Sequence, residues 1–420
     1  MYITMYGSDP ETSDKVDIPS VYVTMKDGQA LLEAGEVDVE IFNRPRSYVN
    51  LSSFLLWGLG VATVVWASVK SGDDLRRRSS GDGSAGVVNY GGDPHEESPS
   101  LELGVPHTLA FVVFPSGMLL LLFFFNQGFW VTLMFCVSAS STTSAIVWLP
   151  LMRWARATLV DYGFLWSDGD GGTVDCYFLG VLSGLEIAST ITSMGLALWW
   201  LIVRNTASYA WVLQNLLGCC LCATFLSTIR LPSIKVATFL LCLAFLYDIF
   251  WVFLFPQLFG ESVMVKVATR GEITQDPTFC ENYPTSDGCQ VESLPMVLEL
   301  PRVWDYAGGY AMLGLGNIII PGLLLSFAHR YDLSVGLHWG KGYFVFMVAG
   351  YAVGLLMANM AVYVMAMGQL ALLYLVPCTL GLFLFLSYND GTLRMMWDGP
   401  PSLSTEHWRA VTIYRAVTVT

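Results

Sequence analysis

Long apolar runs separated by short polar breaks fill most of the chain. Nine of them approach the roughly 20 residues needed to cross a bilayer. They lie near 51–69, 106–125, 128–150, 177–202, 207–228, 236–256, 306–328, 343–365 and 369–388. The tight breaks at Asn126-Gln127 and Met367-Gly368 leave the second/third and eighth/ninth boundaries the least defined. Between the runs, 71–105 is rich in Gly, Ser and Asp around an Arg triplet and reads as a disordered linker. The longer break at 257–304 contains Val263, Val265 and Val267 in strand-like alternation, which predicts an extended segment beside the membrane. Residues 1–49 are polar and mixed, with a β-type run at Ile18 to Thr24 and a short helical stretch at Gly28 to Ala34.

Composition agrees with this pattern. Of 420 residues, 54% are hydrophobic and 13% charged, and the mean hydropathy is +0.54. Soluble domains carry about 25% charged residues, so the expectation is an all-α polytopic membrane protein. A net charge of −13 excludes nucleic acid as a partner, since that needs basic patches. Met1 to Asn50 lacks the basic and apolar regions of a signal peptide. If it lies outside the cytosol, a signal and some upstream sequence have been removed.

An odd number of spans puts the termini on opposite sides. Thirteen of the 21 Lys and Arg residues fall in the C-terminal tail and the loops after spans one, three, five and seven; eight fall on the other side. The positive-inside rule then places the N-terminus outside the cytosol and the tail, 391–420, within it. In the same topology Cys280 and Cys289, together in the polar 257–304 loop, face an oxidising compartment and read as a disulfide. Six of the other cysteines sit in apolar runs and read as small packing groups. Asn50-Leu51-Ser52 matches a glycosylation sequon but abuts the first span, so it is expected to stay unmodified.

Ionisable groups deep in a membrane are costly and mark function. The nine spans hold two acids, Glu186 and Asp248, and no Lys, Arg or central His. Glu186, near Gly184, Ser189 and Thr190, reads as a satisfied packing group. Asp248 follows Tyr247 in an aromatic stretch, Phe245 to Phe253; the bland alternative is a structural carboxyl bonded between helices. Asn317 ends Gly314-Leu315-Gly316-Asn317, a pattern that by itself is also met in ordinary small-residue packing. Depth raises its interest. Asp248 and Asn317 lie about 12 and 11 residues from the cytosolic ends of consecutive spans, about 16–18 Å at 1.5 Å per residue. Two antiparallel neighbours would bring both side chains to one level. No HExxH is present, and the five histidines lie in loops or at span ends, so zinc or Ser–His chemistry is unsupported. No metal and no cofactor is called for.

At Tyr247-Asp248 and Gly314-Leu315-Gly316-Asn317 the chain resembles the signal peptide peptidase family of intramembrane aspartyl proteases, relatives of presenilin. Their motifs are YD in the sixth span, GxGD in the seventh and PAL before the ninth. The likeness covers about 50–390 and extends to Leu231 through Phe239, Glu261 through Val265, and Ile318 through Leu323. Residues 18–31 look like the end of a protease-associated domain, which points to the peptidase-like branch with an extracytosolic ectodomain.

The resemblance implies nine helices in a presenilin-like arrangement. Its catalytic pair maps to Asp248 and position 317, with Tyr247, Gly314, Leu315, Gly316, Leu370, Ala371 and Leu372 as motif and substrate-binding positions. It also implies type II single-span membrane proteins as substrates, cleaved within the lipid bilayer, a place in the secretory or endosomal system or the plasma membrane, and compatibility with a homo-oligomer.

Two positions depart from the pattern. Asn317 stands where the second Asp belongs, and Leu370 stands where PAL has Pro. Asn is nearly isosteric with Asp but does not exchange a carboxyl proton, so the chain is expected to be silenced. Its origin stays open between an engineered inactive form and a natural pseudoprotease that binds transmembrane segments. A channel or transporter is the remaining class, supported only by Asp248, Asn317 and Glu186.

Overall fold

The computed structural model describes residues 51–80, 101–102, 128–162, 173–176, 180–204, 207–255, 295–302, 310–337, 342–365 and 369–400, with a few isolated positions besides. Cys280, Cys289, the Val263–Val267 alternation, most of residues 1–49 and nearly all of the run at 106–125 lie outside them.

Helix α1 is Leu51–Ser80, and β1 is Leu101–Glu102. Helix α2, Gly128–Thr143, continues through a π-helical turn at Ser144–Trp148 into α3, Leu149–Asp161. A hairpin of β2, Thr173–Cys176, and β3, Gly180–Ser183, precedes α4, Gly184–Val203. Helix α5 is Ala210–Thr228, and β4, Ile229–Arg230, pairs in parallel with β1. Helix α6, Ile234–Ile249, ends in a π-turn at Phe250–Leu254. Strands β5, Val297–Pro301, and β6, Tyr310–Gly314, pair antiparallel before α7, Gly316–Val335. Helix α8 is Tyr343–Met365; α9, Ala371–Val376, passes through a π-turn at Pro377–Gly381 into α10, Leu382–Asn389. Helix α11, Leu393–Asp398, closes the described chain.

Seven helical stretches among the described residues are long and apolar enough to cross a membrane. The chain is thus mostly helical and polytopic, but not all-α, because three two-stranded sheets accompany the helices. Several expected boundaries shift. The fourth run includes β3, the second strand of a hairpin, before its helix, and the seventh includes β6, so its helix starts ten residues later than hydropathy implies, at Gly316. Helix α1 carries on through 71–80, the start of the expected linker, and Leu101–Glu102 near its end is a strand. The third run extends to Asp161, taking Arg153 and Arg156 into helix.

Local signals explain these ends. Ser183 and Glu186 form a capping box at the start of α4, so Glu186 is a helix cap rather than a mid-membrane acid. It also lies 3.9 Å from Arg153. Ser233 caps α6 by accepting from Val236 N–H. Gly336, at φ 76°, ends α7 in the left-handed conformation that glycine takes without strain.

The core is built around α1, α5, α7 and α8. Helices α1 and α7 share a hydrogen bond between the fully buried hydroxyls of Ser68 and Ser326, 3.0 Å apart. Trp57 on α1 donates to Ala352 C=O on α8 at 2.8 Å. Helix α7 keeps His329, Arg330 and Asp332 buried in its last turns, although hydropathy ends that run at 328. The Asp332 carboxylate accepts from the N–H groups of Tyr343 (3.0 Å) and Phe344 (2.8 Å), so one helix caps the next.

Candidate active site at the meeting of three helices

Asp248 lies in the last turn of α6, partly buried. The Phe250 N–H, just beyond, reaches both Leu246 and Tyr247 carbonyls as the helix widens into its π-turn. π-turns inside α-helices often occur at functional positions. The turn carries Trp251, 5% exposed, whose ring meets Tyr247 at 6.0 Å, Phe250 at 5.3 Å and Phe255 at 4.9 Å. Aromatic packing therefore fixes the backbone on both sides of Asp248.

Asn317 occupies the first turn of α7, immediately after β6. Its carbonyl lacks the usual donor four residues on within the helix, because that residue is Pro321, which has no N–H. The hydroxyl of Tyr351, fully buried on α8, donates to that carbonyl at 3.2 Å. A missing donor in one helix is thus supplied by the side chain of another. A methyl group on Gly314 would lie 3.5 Å from the Asn317 amide nitrogen, whereas one on Gly316 would meet nothing within 4 Å. Leu315 is buried, and its N–H donates to Met296 C=O at 3.1 Å, extending the sheet ladder to the helix start.

Leu370 is the N-cap residue of α9, at φ −72°, ψ 106° and 5% exposed. Its carbonyl accepts from Leu373 N–H at 3.2 Å. Leu372 is buried and Ala371 partly so. Helix α9 and the π-turn after it seat closely on α8 because α8 carries Gly350, where a Cβ would collide with the Cys378 carbonyl, and Gly354, where one would crowd the Tyr374 carbonyl.

Helix α6 packs on α7, and α9 packs on both. The three strings singled out in the sequence therefore belong to mutually touching helices. Helix α7, which carries Asn317 in its first turn, is not among the seven stretches long and apolar enough to cross a membrane, whereas α6 with its π-turn is one of them.

Sequence reasoning missed Tyr351, Trp251, Ser52, Gln214 and Asn215. The two amides had a readable signal, being adjacent polar residues in the apolar run Ala210-Trp211-Val212-Leu213-Gln214-Asn215-Leu216-Leu217. A search restricted to charged groups passes over them.

The family model described as signal peptide peptidase matches residues 95–402. Signal peptide peptidase-like 3 of Arabidopsis thaliana is 37% identical over 404 residues, 93% of this chain and 69% of that protein. Signal peptide peptidase-like 4 of Oryza sativa subsp. japonica is 32% identical over 417 residues, 94% of this chain and 70% of its own. Signal peptide peptidase-like 2B of Homo sapiens is 41% identical over a shorter stretch of 207 residues, 48% of this chain and 32% of its own. With a family model matched across most of its length and relatives aligned along more than nine-tenths of it, the chain belongs to the signal peptide peptidase family.

Proposed function

We propose that this chain carries the intramembrane aspartyl endopeptidase site of its family, with Asp248 and position 317 as the catalytic pair, and that Asn317 silences it. Membership implies intramembrane proteolysis. The assignment of the pair rests on one observation: α6, α7 and α9, bearing Asp248, Asn317 and Leu370-Ala371-Leu372, pack against one another.

With Asp at 317, two carboxyls at close range share one proton, because like charges so near cannot both ionise. The ionised carboxylate takes a proton from water, and the resulting hydroxide adds to the scissile carbonyl carbon. The protonated partner donates to the carbonyl oxygen. The gem-diol then collapses, the C–N bond breaks, and the amine leaves with a proton from the pair. Asn317 donates a hydrogen bond but holds no exchangeable carboxyl proton, so this cycle stops while binding persists.

The substrates are single-span proteins of type II orientation. A helix has its amides bonded internally, so it must unwind locally before attack. An unwound stretch pairs as an added strand beside Gly314–Gly316 or Leu370–Leu372. The chain spans the bilayer nine times across 50–390, with the 257–304 loop and residues 1–49, the end of a protease-associated domain, outside the cytosol. Residues 71–105 and the tail, 391–420, lie in the cytosol of a secretory or endosomal membrane.

The test is cleavage of a labelled type II single-span peptide in detergent by this chain, by Asn317→Asp, and by Asn317→Asp combined with Asp248→Ala. Activity confined to Asn317→Asp supports the reading. An inert Asn317→Asp that still captures the peptide points instead to a non-catalytic binder of transmembrane segments.

A further inference from the structure

We propose that Ser52, Gln214 and Asn215 act together as a side-chain substitute for a strand along the outer edge of β5, and that Asn215 is the positioning residue that directs an unwound substrate to the opposite edge, β6. This rests on the proteolytic reading given above.

The ladder of the sheet sets the geometry. Leu315 N–H donates to Met296 C=O, and Val297 pairs with Gly314, Glu299 with Met312 and Pro301 with Tyr310. Hydrogen-bonded and open pairs alternate in antiparallel sheets. Since Met296/Leu315 is a bonded pair, the backbone groups of Val297, Glu299 and Pro301 face outward on β5, and those of Tyr310, Met312 and Gly314 face outward on β6.

Every outward carbonyl of β5 meets a side chain. Gln214 Nε2 donates to Val297 C=O at 3.0 Å. Asn215 Nδ2 donates to Glu299 C=O at 2.7 Å, and Asn215 Oδ1 accepts from Glu299 N–H at 2.9 Å. Ser52 Oγ donates to Pro301 C=O at 2.7 Å, and Pro301 has no N–H of its own. A primary amide presents the same donor and acceptor as a peptide group, so Asn215 binds Glu299 as a neighbouring strand would. All three side chains are buried. One turn along α5, a Cβ on Gly218 would lie 3.0 Å from Leu298 and 3.5 Å from Leu315, so the sheet lies on bare helix surface.

Such a site is expensive to assemble without purpose. Buried amides cost free energy unless bonded, and here they bond the outward backbone groups of Val297 and Glu299, which apolar residues would leave unpaired. Covering β5 leaves one growing edge. Among the described residues, no hydrogen bond reaches the outward N–H or C=O of Met312 or Gly314. A strand added there takes its register from Met312 and Gly314, five and three residues before position 317. Were β5 uncovered, the sheet would have two edges and the substrate two registers, and a one-residue slip moves every side chain to the other face.

The test needs no catalysis. The chain as it stands, reconstituted in detergent, carries a photo-crosslinking residue in place of the exposed Met312 and is given synthetic single-span peptides. Labelled positions in the peptide are mapped by mass spectrometry, and amide exchange at Glu299 is followed in parallel. The expected pattern labels alternate peptide residues. Asn215→Leu, the same size but unable to bond, should speed Glu299 exchange roughly tenfold, the loss of about one buried hydrogen bond, and spread the labels evenly. Ser52→Ala, which removes a single donor, should do the same to a smaller degree and serves if Asn215→Leu fails to fold. Unchanged Glu299 exchange in both variants overturns the proposal. So does faster exchange with the alternating labels intact, or no labelling from position 312 in the unsubstituted chain. Cleavage by Asn317→Asp is scored separately: an active enzyme with labels indifferent to Asn215 sinks only the clasp, and an inert one with labels that depend on Asn215 sinks only the protease.

Discussion

The end of α6 and the start of α7 hold the two members of the proposed pair by opposite means. Asp248 is fixed locally: its helix runs on into a π-turn, and Trp251 gathers Tyr247, Phe250 and Phe255 from the same ten residues. Asn317 is fixed from a distance. Its turn is anchored by Met296 through the Leu315 N–H and by Tyr351 from the next helix. A locally built position survives damage elsewhere in the bundle, whereas a remotely built one fails with any of its supports. The second position is therefore expected to be the sensitive one, both in its own chemistry and in its surroundings.

The largest effect should come from restoring the acid. Asn317→Asp should raise peptide cleavage by about a thousandfold or more, in the range that positioned acid–base groups contribute, and Asp248→Ala in that background should remove the gain. Initial rates with a type II single-span peptide decide it. Equal rates with Asn and Asp at 317 would break the comparison, since α7 would then carry no catalytic group. Next in size is Gly350→Leu. Its Cβ would collide with the Cys378 carbonyl, where a backbone atom cannot step aside, and its branches would press on Leu382. Overpacking of this kind costs about 1–3 kcal/mol, so thermal unfolding in detergent should show a lower Tm and a displaced α9. Tyr351→Phe is subtler, removing one oxygen and orphaning the Asn317 carbonyl at about 1–3 kcal/mol. In the Asn317→Asp background it should lower kcat more than it lowers Tm. Trp251→Leu, acting on the locally built side, should do the reverse, and identical kcat losses in the two variants would show both positions to be held alike.

Much of this organisation was readable from the chain, but unevenly. Hydropathy located the helices because lipid-facing and core-facing residues are both apolar, and it failed at their ends for the same reason. Tyr310 to Gly314 is as apolar as the helix after it, yet it pairs with Val297 to Pro301; pairing with a distant segment leaves no trace in a run of five residues. Strand β3, Gly180–Ser183, lies inside the fourth run in the same way, while its partner β2 precedes that run. Asp248 stood out because a carboxyl in an apolar run is rare. Asn317 stood out only through the glycines before it and the likeness to a known motif. Asn215 and Tyr351 stayed hidden because their meaning lies in partners 84 and 34 residues away.

The smallest effect belongs to the other departure from the family pattern. Leu370 has φ −72°, within the range that a proline ring imposes, and it precedes the first turn of α9, where a missing N–H costs least. Pro at 370 would fit the folded backbone while narrowing the conformations of the unfolded chain, a gain of about 0.4–1 kcal/mol. Against this stands the loss of a leucine side chain that is 5% exposed. Contacts of that size in a bilayer are held by packing alone, without the aid of water exclusion, so the two terms should nearly cancel. Leu370→Pro is expected to shift Tm by only a few degrees, while stiffening the entry to α9 beside both α6 and α7. In the Asn317→Asp background its effect should therefore appear in kcat, as a rise of a few-fold with Tm almost unmoved. A large fall in Tm would show that Leu370 now holds α9 by its side chain, and that the site has been rebuilt around the leucine.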